Sequence, residues 1–212
     1  MDKYCVLPFM HLQVKPNQQY KPCCRFKVRS HPELMKFNAN KHTPGEVLNS
    51  DEWKEIRNKM LSGESIEGCS RCYSEEDRNV SSMRIGANYK YGFQEDVKLK
   101  YIEVSFGNFC NLKCRTCSVD LSSSWFEDEK QLEPLYKFRT EQNTKVIYVN
   151  DEYHYDDYKD INEIKFTGGE PMLHPNFEKF MDFLINNNLN SNIELDIFSN
   201  CSWFPKQKVI EK

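Results

Sequence analysis

Three cysteines fall at positions 110, 114 and 117, in the stretch CNLKCRTC. Spaced in this way, Cys110, Cys114 and Cys117 let one loop wrap a single inorganic centre. On a helix the same spacing would put all three on one face as a buried stripe. Asn108, Asn111, Lys113 and Arg115 argue against that, because they make the segment polar. Structural zinc takes four protein ligands in a tetrahedron, and no fourth ligand lies nearby in sequence. A cubane iron-sulfur cluster has four irons, each normally bound by one thiolate. Three cysteines leave one iron open, and an open metal position accepts a small molecule, as it does in catalytic zinc sites.

A second group of cysteines lies earlier in the chain: Cys5, Cys23, Cys24, Cys69 and Cys72. GCSRCY holds a chelating pair two residues apart, KPCC adds one or two thiolates, and Cys5 completes four. Cys5, Cys23, Cys69 and Cys72 are the preferred set, with Cys24 as the alternative to Cys23. Spacing leaves zinc and iron-sulfur both open. Nine cysteines, an odd number in short groups, favour metal thiolates over structural disulfides and a cytoplasmic setting.

The elements that must position these residues divide the chain near residue 95. Residues 1–95 are loop-rich, punctuated by prolines, with one clear helix at NSDEWKEIRNKML. Asn49 is its expected cap, Trp53, Ile56 and Met60 its buried stripe, and Gly63 its stop. Residues 96–212 alternate strand and helix. LKYIEVSF runs into the cysteine loop, INEIKFT runs into Gly168 and Gly169, and IELDIFSN runs into Ser199 and Asn200. Between them, a serine-capped helix follows the loop, limited by Pro134, and HPNFEKFMDFLINN makes an amphipathic helix on Phe177, Phe180, Met181 and Leu184. An acidic, tyrosine-rich insertion spans about 137–160. Strand, helix, strand is the pattern of parallel β/α units, whose chemistry collects at the carboxyl ends of the strands.

The formal charge of -3 is spread without a basic stripe, so no nucleic-acid footprint is visible, and no apolar run reaches the length of a membrane span. Weaker features are read structurally. DEYHYDDY is taken as a solvated insertion rather than a cation site, His174 as a residue at the start of a helix, and Trp125 and Phe126 as core anchors. His11, His31 and His42 gain no partners from sequence.

The C-x3-C-x2-C loop after a strand, followed by TGGEP at 167–171, resembles the radical SAM superfamily. The resemblance implies that Cys110, Cys114 and Cys117 hold a [4Fe-4S] cluster whose fourth iron binds S-adenosylmethionine (SAM). It further implies that Gly168, Gly169, Glu170 and Pro171 line the SAM amino group, with Ser199 and Asn200 a further SAM-contacting pair. The implied chemistry is reductive cleavage of SAM to methionine and a 5'-deoxyadenosyl radical, fed by an electron donor and directed at a peptide or protein. Thr116 stands where many members place an aromatic residue. The family core resembles a partial barrel of six β/α units and this sequence carries three such strands. The expected fold class is therefore α/β, an incomplete radical SAM barrel (96–212, its N-terminal half) preceded by a small, metal-stapled domain (1–95).

CVLPFMHLQVKPNQQYKPCC and GCSRCYSEE resemble the SPASM or twitch cysteine-rich domain, which implies an auxiliary [4Fe-4S] cluster or zinc at Cys5, Cys23, Cys69 and Cys72. A rival of another class is a metal-stabilised binding protein or split half, with a partner chain supplying the missing strands along the exposed edge of the third.

Overall fold

A computed structural model describes residues 3–132, 135 and 151–203. Pro134 and most of the predicted insertion lie outside the described residues. The chain forms two compact units, each assembled from separated stretches: residues 1–13, 19–102 and 154–162 in the first, and 14–18, 103–153 and 163–212 in the second.

The first unit contains more helix than its prolines suggest. After α1 (Leu7–Met10), β1 (His11–Val14) and β2 (Tyr20–Lys21) come α2 (Pro44–Leu48), α3 (Asp51–Leu61), α4 (Ser70–Glu76) and α5 (Met83–Tyr91). Proline explains part of the difference, since Pro8 and Pro44 sit in first turns, where a missing N–H costs nothing. Thr43 and Glu46 close a capping box on α2. The cap of α3 is Ser50, which accepts from the Trp53 N–H; Asn49, the expected cap, ends α2 instead. Trp53, Ile56 and Met60 are buried as their spacing requires, and Gly63, at φ 79°, takes the left-handed turn that follows the helix. Phe37 meets Trp53 edge-on, with ring centroids 5.3 Å apart.

Part of DEYHYDDY belongs to this first unit and is built in, not merely solvated. Tyr158, at the end of α7 (Tyr155–Tyr158), is buried. Asp157 accepts from the Gly45 N–H at 2.8 Å, adding a carboxylate to the first turn of α2.

β3 (Tyr101–Ser105), of which Glu103–Ser105 belong to the second unit, is buried along its whole length, where alternation alone suggests one buried face. It is followed by the cysteine loop and α6 (Phe126–Leu132). β4 (Glu163–Thr167) lies between β3 and β5 (Glu194–Ile197), and β4 pairs with β5 in parallel, from Glu163 opposite Glu194 to Phe166 opposite Ile197. Parallel neighbours need a crossover, and α8 (Pro175–Asn186) supplies it. Phe177, Phe180 and Leu184 of α8 are buried, as are Ile164 and Phe166 of β4; Met181 is only half-buried. Phe166 stands 5.2 Å from Phe177 and 5.7 Å from Phe106, ring to ring. The α/β class with a parallel sheet is thus present. All four residues of β5 are exposed.

Candidate functional site

The ends of β3 and β4 are laced together. The Gly169 N–H donates to the Gly107 carbonyl at 3.2 Å, and the Glu170 N–H to the Phe109 carbonyl at 2.8 Å. Both acceptors lie in the turn that leads into Cys110. The approach is too close for any side chain: a Cβ on Gly169 would sit 2.2 Å from the Phe109 oxygen, and one on Gly168, at φ 102°, would sit 2.0 Å from Ser105 Oγ. The two glycines are therefore required first by the contact between strand end and cysteine loop.

Glu170 is 1% exposed, and both its oxygens are engaged. Ser199 Oγ donates to them at 3.0 and 3.1 Å, the Asn200 N–H donates at 2.7 Å and the Met172 N–H at 3.3 Å. A buried carboxylate is tolerable only when hydrogen-bonded in this way. Its first role is to tie the end of β4 to the end of β5, which brings the GGEP turn and the Ser199–Asn200 pair together.

The cysteine loop is pinned from its far side by residues that spacing did not single out. Ser124 Oγ donates to the Cys110 carbonyl at 2.8 Å, Trp125 Nε1 to the Cys114 carbonyl at 3.2 Å, and the fully buried Asn108 reaches the Val119 carbonyl at 3.0 Å. Trp125 and Phe126 are half-buried and, for Trp125 at least, serve the loop instead of anchoring a core. The SSSW run gave a helix start in sequence; its hydroxyls and indole N–H were the overlooked signal. Cys114 is exposed, and Cys110 and Cys117 are partly so. Burial pushes the Cys117 thiol up, helped by the neighbouring Cys114 and Cys110 sulfurs, while contact with Thr116 pulls it down.

His174 caps α8 through Nδ1, which accepts from the Asn176 N–H at 3.2 Å, and its ring stacks on Phe106. Burial lowers its pKa, with the Lys179 charge adding to the effect.

In the first unit, Cys5, Cys23, Cys69 and Cys72 line one pocket. Two loops meet there because Gly68 accepts the Phe26 ring where a Cβ would lie 2.4 Å from it, and the Lys27 N–H donates to the Gly68 carbonyl at 2.9 Å. Cys24 is exposed and does not line the pocket, its Sγ lying 3.6 Å from Met83 Sδ. Burial is the main cause that raises the Cys5 thiol, and it carries Cys23 and Cys69 to about 12; the other pocket thiols push the same way. Hydrogen bonding with the Leu7 backbone for Cys5, with the Arg25 and Phe26 backbone for Cys23 and with the Tyr73 side chain for Cys69 pulls the other way. Such hydrogen bonds suit thiolates bound to a metal centre. Among the described residues, no three cysteine, histidine or carboxylate side chains close on a single point as the ligands of one ion do.

None of the nine cysteines forms a disulfide. Among the described residues no helix is long and apolar enough to cross a membrane. Residues 104–211 match the family model described as the radical SAM superfamily. No curated protein and no solved structure matches the chain.

Proposed function

We propose, for a chain that belongs to the radical SAM superfamily, that Cys110, Cys114 and Cys117 are the ligands of the [4Fe-4S] cluster that the family uses. We place SAM against Gly168, Gly169, Glu170, Pro171, Ser199 and Asn200. Bound together, cluster and SAM supply reductive cleavage to a 5'-deoxyadenosyl radical, here directed at a peptide or protein. The chain's own residues hold the arrangement. Glu170 fixes the end of β5, Gly169 lets the GGEP turn close on the loop, and Ser124 and Trp125 brace the loop from behind. The carrying observation is the double backbone link from Gly169 and Glu170 to the Gly107–Phe109 turn, which joins the two motifs into one site.

In the same reading, residues 1–95 are a SPASM or twitch-like domain, and Cys5, Cys23, Cys69 and Cys72 hold an auxiliary centre. That centre is an auxiliary [4Fe-4S] cluster or zinc, and the four thiols that line the pocket suit either.

The test is anaerobic reconstitution followed by dithionite and SAM. Wild-type protein is expected to form 5'-deoxyadenosine, and Cys110→Ala, Cys114→Ala or Cys117→Ala to abolish it and to lower iron content. Full iron content in all three variants would sink the assignment. A partner chain that completes the sheet is the second reading, favoured by β5, where Leu195 is 39% and Ile197 37% exposed. Under that reading 5'-deoxyadenosine forms only after the partner is added.

A further inference from the structure

Asn200 reaches from the end of β5 to a cysteine of the loop. Its Nδ2 lies 3.7 Å from Cys110 Sγ, within reach of an N–H···S hydrogen bond, and 3.1 Å from Asn111 Oδ1. The orientation of the amide is fixed by its other end. Oδ1 accepts from the Ser202 N–H at 2.9 Å, so it is the NH2 group that faces the sulfur. The backbone beneath is fixed too, since the Asn200 N–H is held by the buried Glu170 carboxylate and the Cys201 N–H by Ser199 Oγ at 2.9 Å.

We propose that Asn200 is a positioning residue for the Cys110 thiolate, and that its amide raises the reduction potential of the cluster this thiolate would hold. The proposal rests on the cluster assignment above and adds to it a role for one side chain. A bound thiolate gains negative charge when the cluster accepts an electron, so an N–H dipole aimed at it stabilises the reduced form more than the oxidised one. The step is a one-electron transfer from a reductant such as dithionite, with no bond made or broken. Because Glu170 grips the backbone of Asn200, the GGEP turn and the sulfur are joined by a continuous hydrogen-bonded line. Asn200 thereby reads as a residue of the cluster's surroundings as well as of the SAM site.

The experiment uses the full chain, reconstituted anaerobically, as wild type, Asn200→Ala and Asn200→Asp. Iron and sulfide are counted first. The potential is then measured without SAM by electron paramagnetic resonance during a mediated dithionite titration, following the signal that in wild type is identified by its response to added SAM. Aspartate keeps the acceptor for the Ser202 N–H but sets a carboxylate oxygen against the sulfur. The expected result is unchanged iron, a lower potential in Asn200→Ala and a still lower one in Asn200→Asp. Equal potentials in all three proteins overturn the proposal, as does an aspartate variant no lower than the alanine one. Loss of iron in both variants also overturns it, because Asn200 would then be a folding residue of the loop. A Cys110→Ala protein that keeps its SAM-responsive signal strikes at the cluster assignment itself and takes the proposal with it. Equal potentials with Cys110→Ala behaving as expected strike at the role of Asn200 alone.

Discussion

At the scale of single residues, the two glycines of the GGEP turn are set by contacts within the chain. The atom that a Gly169 Cβ would strike is the Phe109 carbonyl oxygen, with its carbon 2.7 Å away, and neither is the end of a flexible side chain. Gly169→Ala is expected to break both links to the cysteine loop and to cost roughly 1–3 kcal/mol, the range for forced overpacking. Gly86, inside α5, has open space around its Cβ position, so Gly86→Ala is expected to stabilise by about 1 kcal/mol, the helix-propensity difference. Melting of the two variants beside wild type checks the pair; similar shifts in both would count against a specific clash at Gly169. Sequence pointed to Gly169 through the motif but assigned it to the approach of SAM. The contact with Phe109 depends on how two strand ends meet, which no local pattern encodes. The choice between Cys23 and Cys24 was open for the same reason. Adjacent residues in a turn point in different directions, and the structure turns Cys23 into the thiol pocket.

Among the elements, α8 was legible because twelve residues repeat an apolar face under a recognisable start. The helices α1, α2, α4 and α5 were not, since most are too short to show a period and prolines open α1 and α2. His174 gives α8 a pH dependence. Unfolded, it takes a proton near its ordinary value of about 6.5. In the folded unit, burial, and secondarily the Lys179 charge, holds its pKa lower. In the window between the folded value and about 6.5 the unfolded chain binds more protons, so stability is lost as pH falls through it. Asparagine is an equally good N-cap and does not titrate. Melting temperatures between pH 7.5 and 5.5 should fall more steeply for wild type than for His174→Asn, which loses the Phe106 stacking at every pH. Parallel profiles would remove His174 as the source of the acid sensitivity.

For the whole molecule, each compact unit is assembled from separated stretches of chain. Residues 154–162 return to the first unit and residues 14–18 belong to the second. Such exchanges depend on where distant segments fold back, and hydrophobic periodicity carries no trace of them. Each unit nevertheless contains one complete cysteine set: the pocket of Cys5, Cys23, Cys69 and Cys72 in the first, and the loop of Cys110, Cys114 and Cys117 in the second. No cysteine is shared, so the two centres should load separately. Because each cubane carries four irons, reconstituted wild type is expected to hold about eight per chain. Cys69→Ser with Cys72→Ser, or Cys114→Ser with Cys117→Ser, should each leave about four. Cys24→Ala, outside the pocket, should leave the full count. The raised Cys5, Cys23 and Cys69 thiols must lose protons to bind metal, so loading of the first centre should rise with pH. Following iron uptake in the Cys114→Ser, Cys117→Ser protein from pH 6.5 to 8.5 isolates that dependence. A count of about one zinc in that same protein, with no iron, would replace the auxiliary cluster by a structural zinc centre.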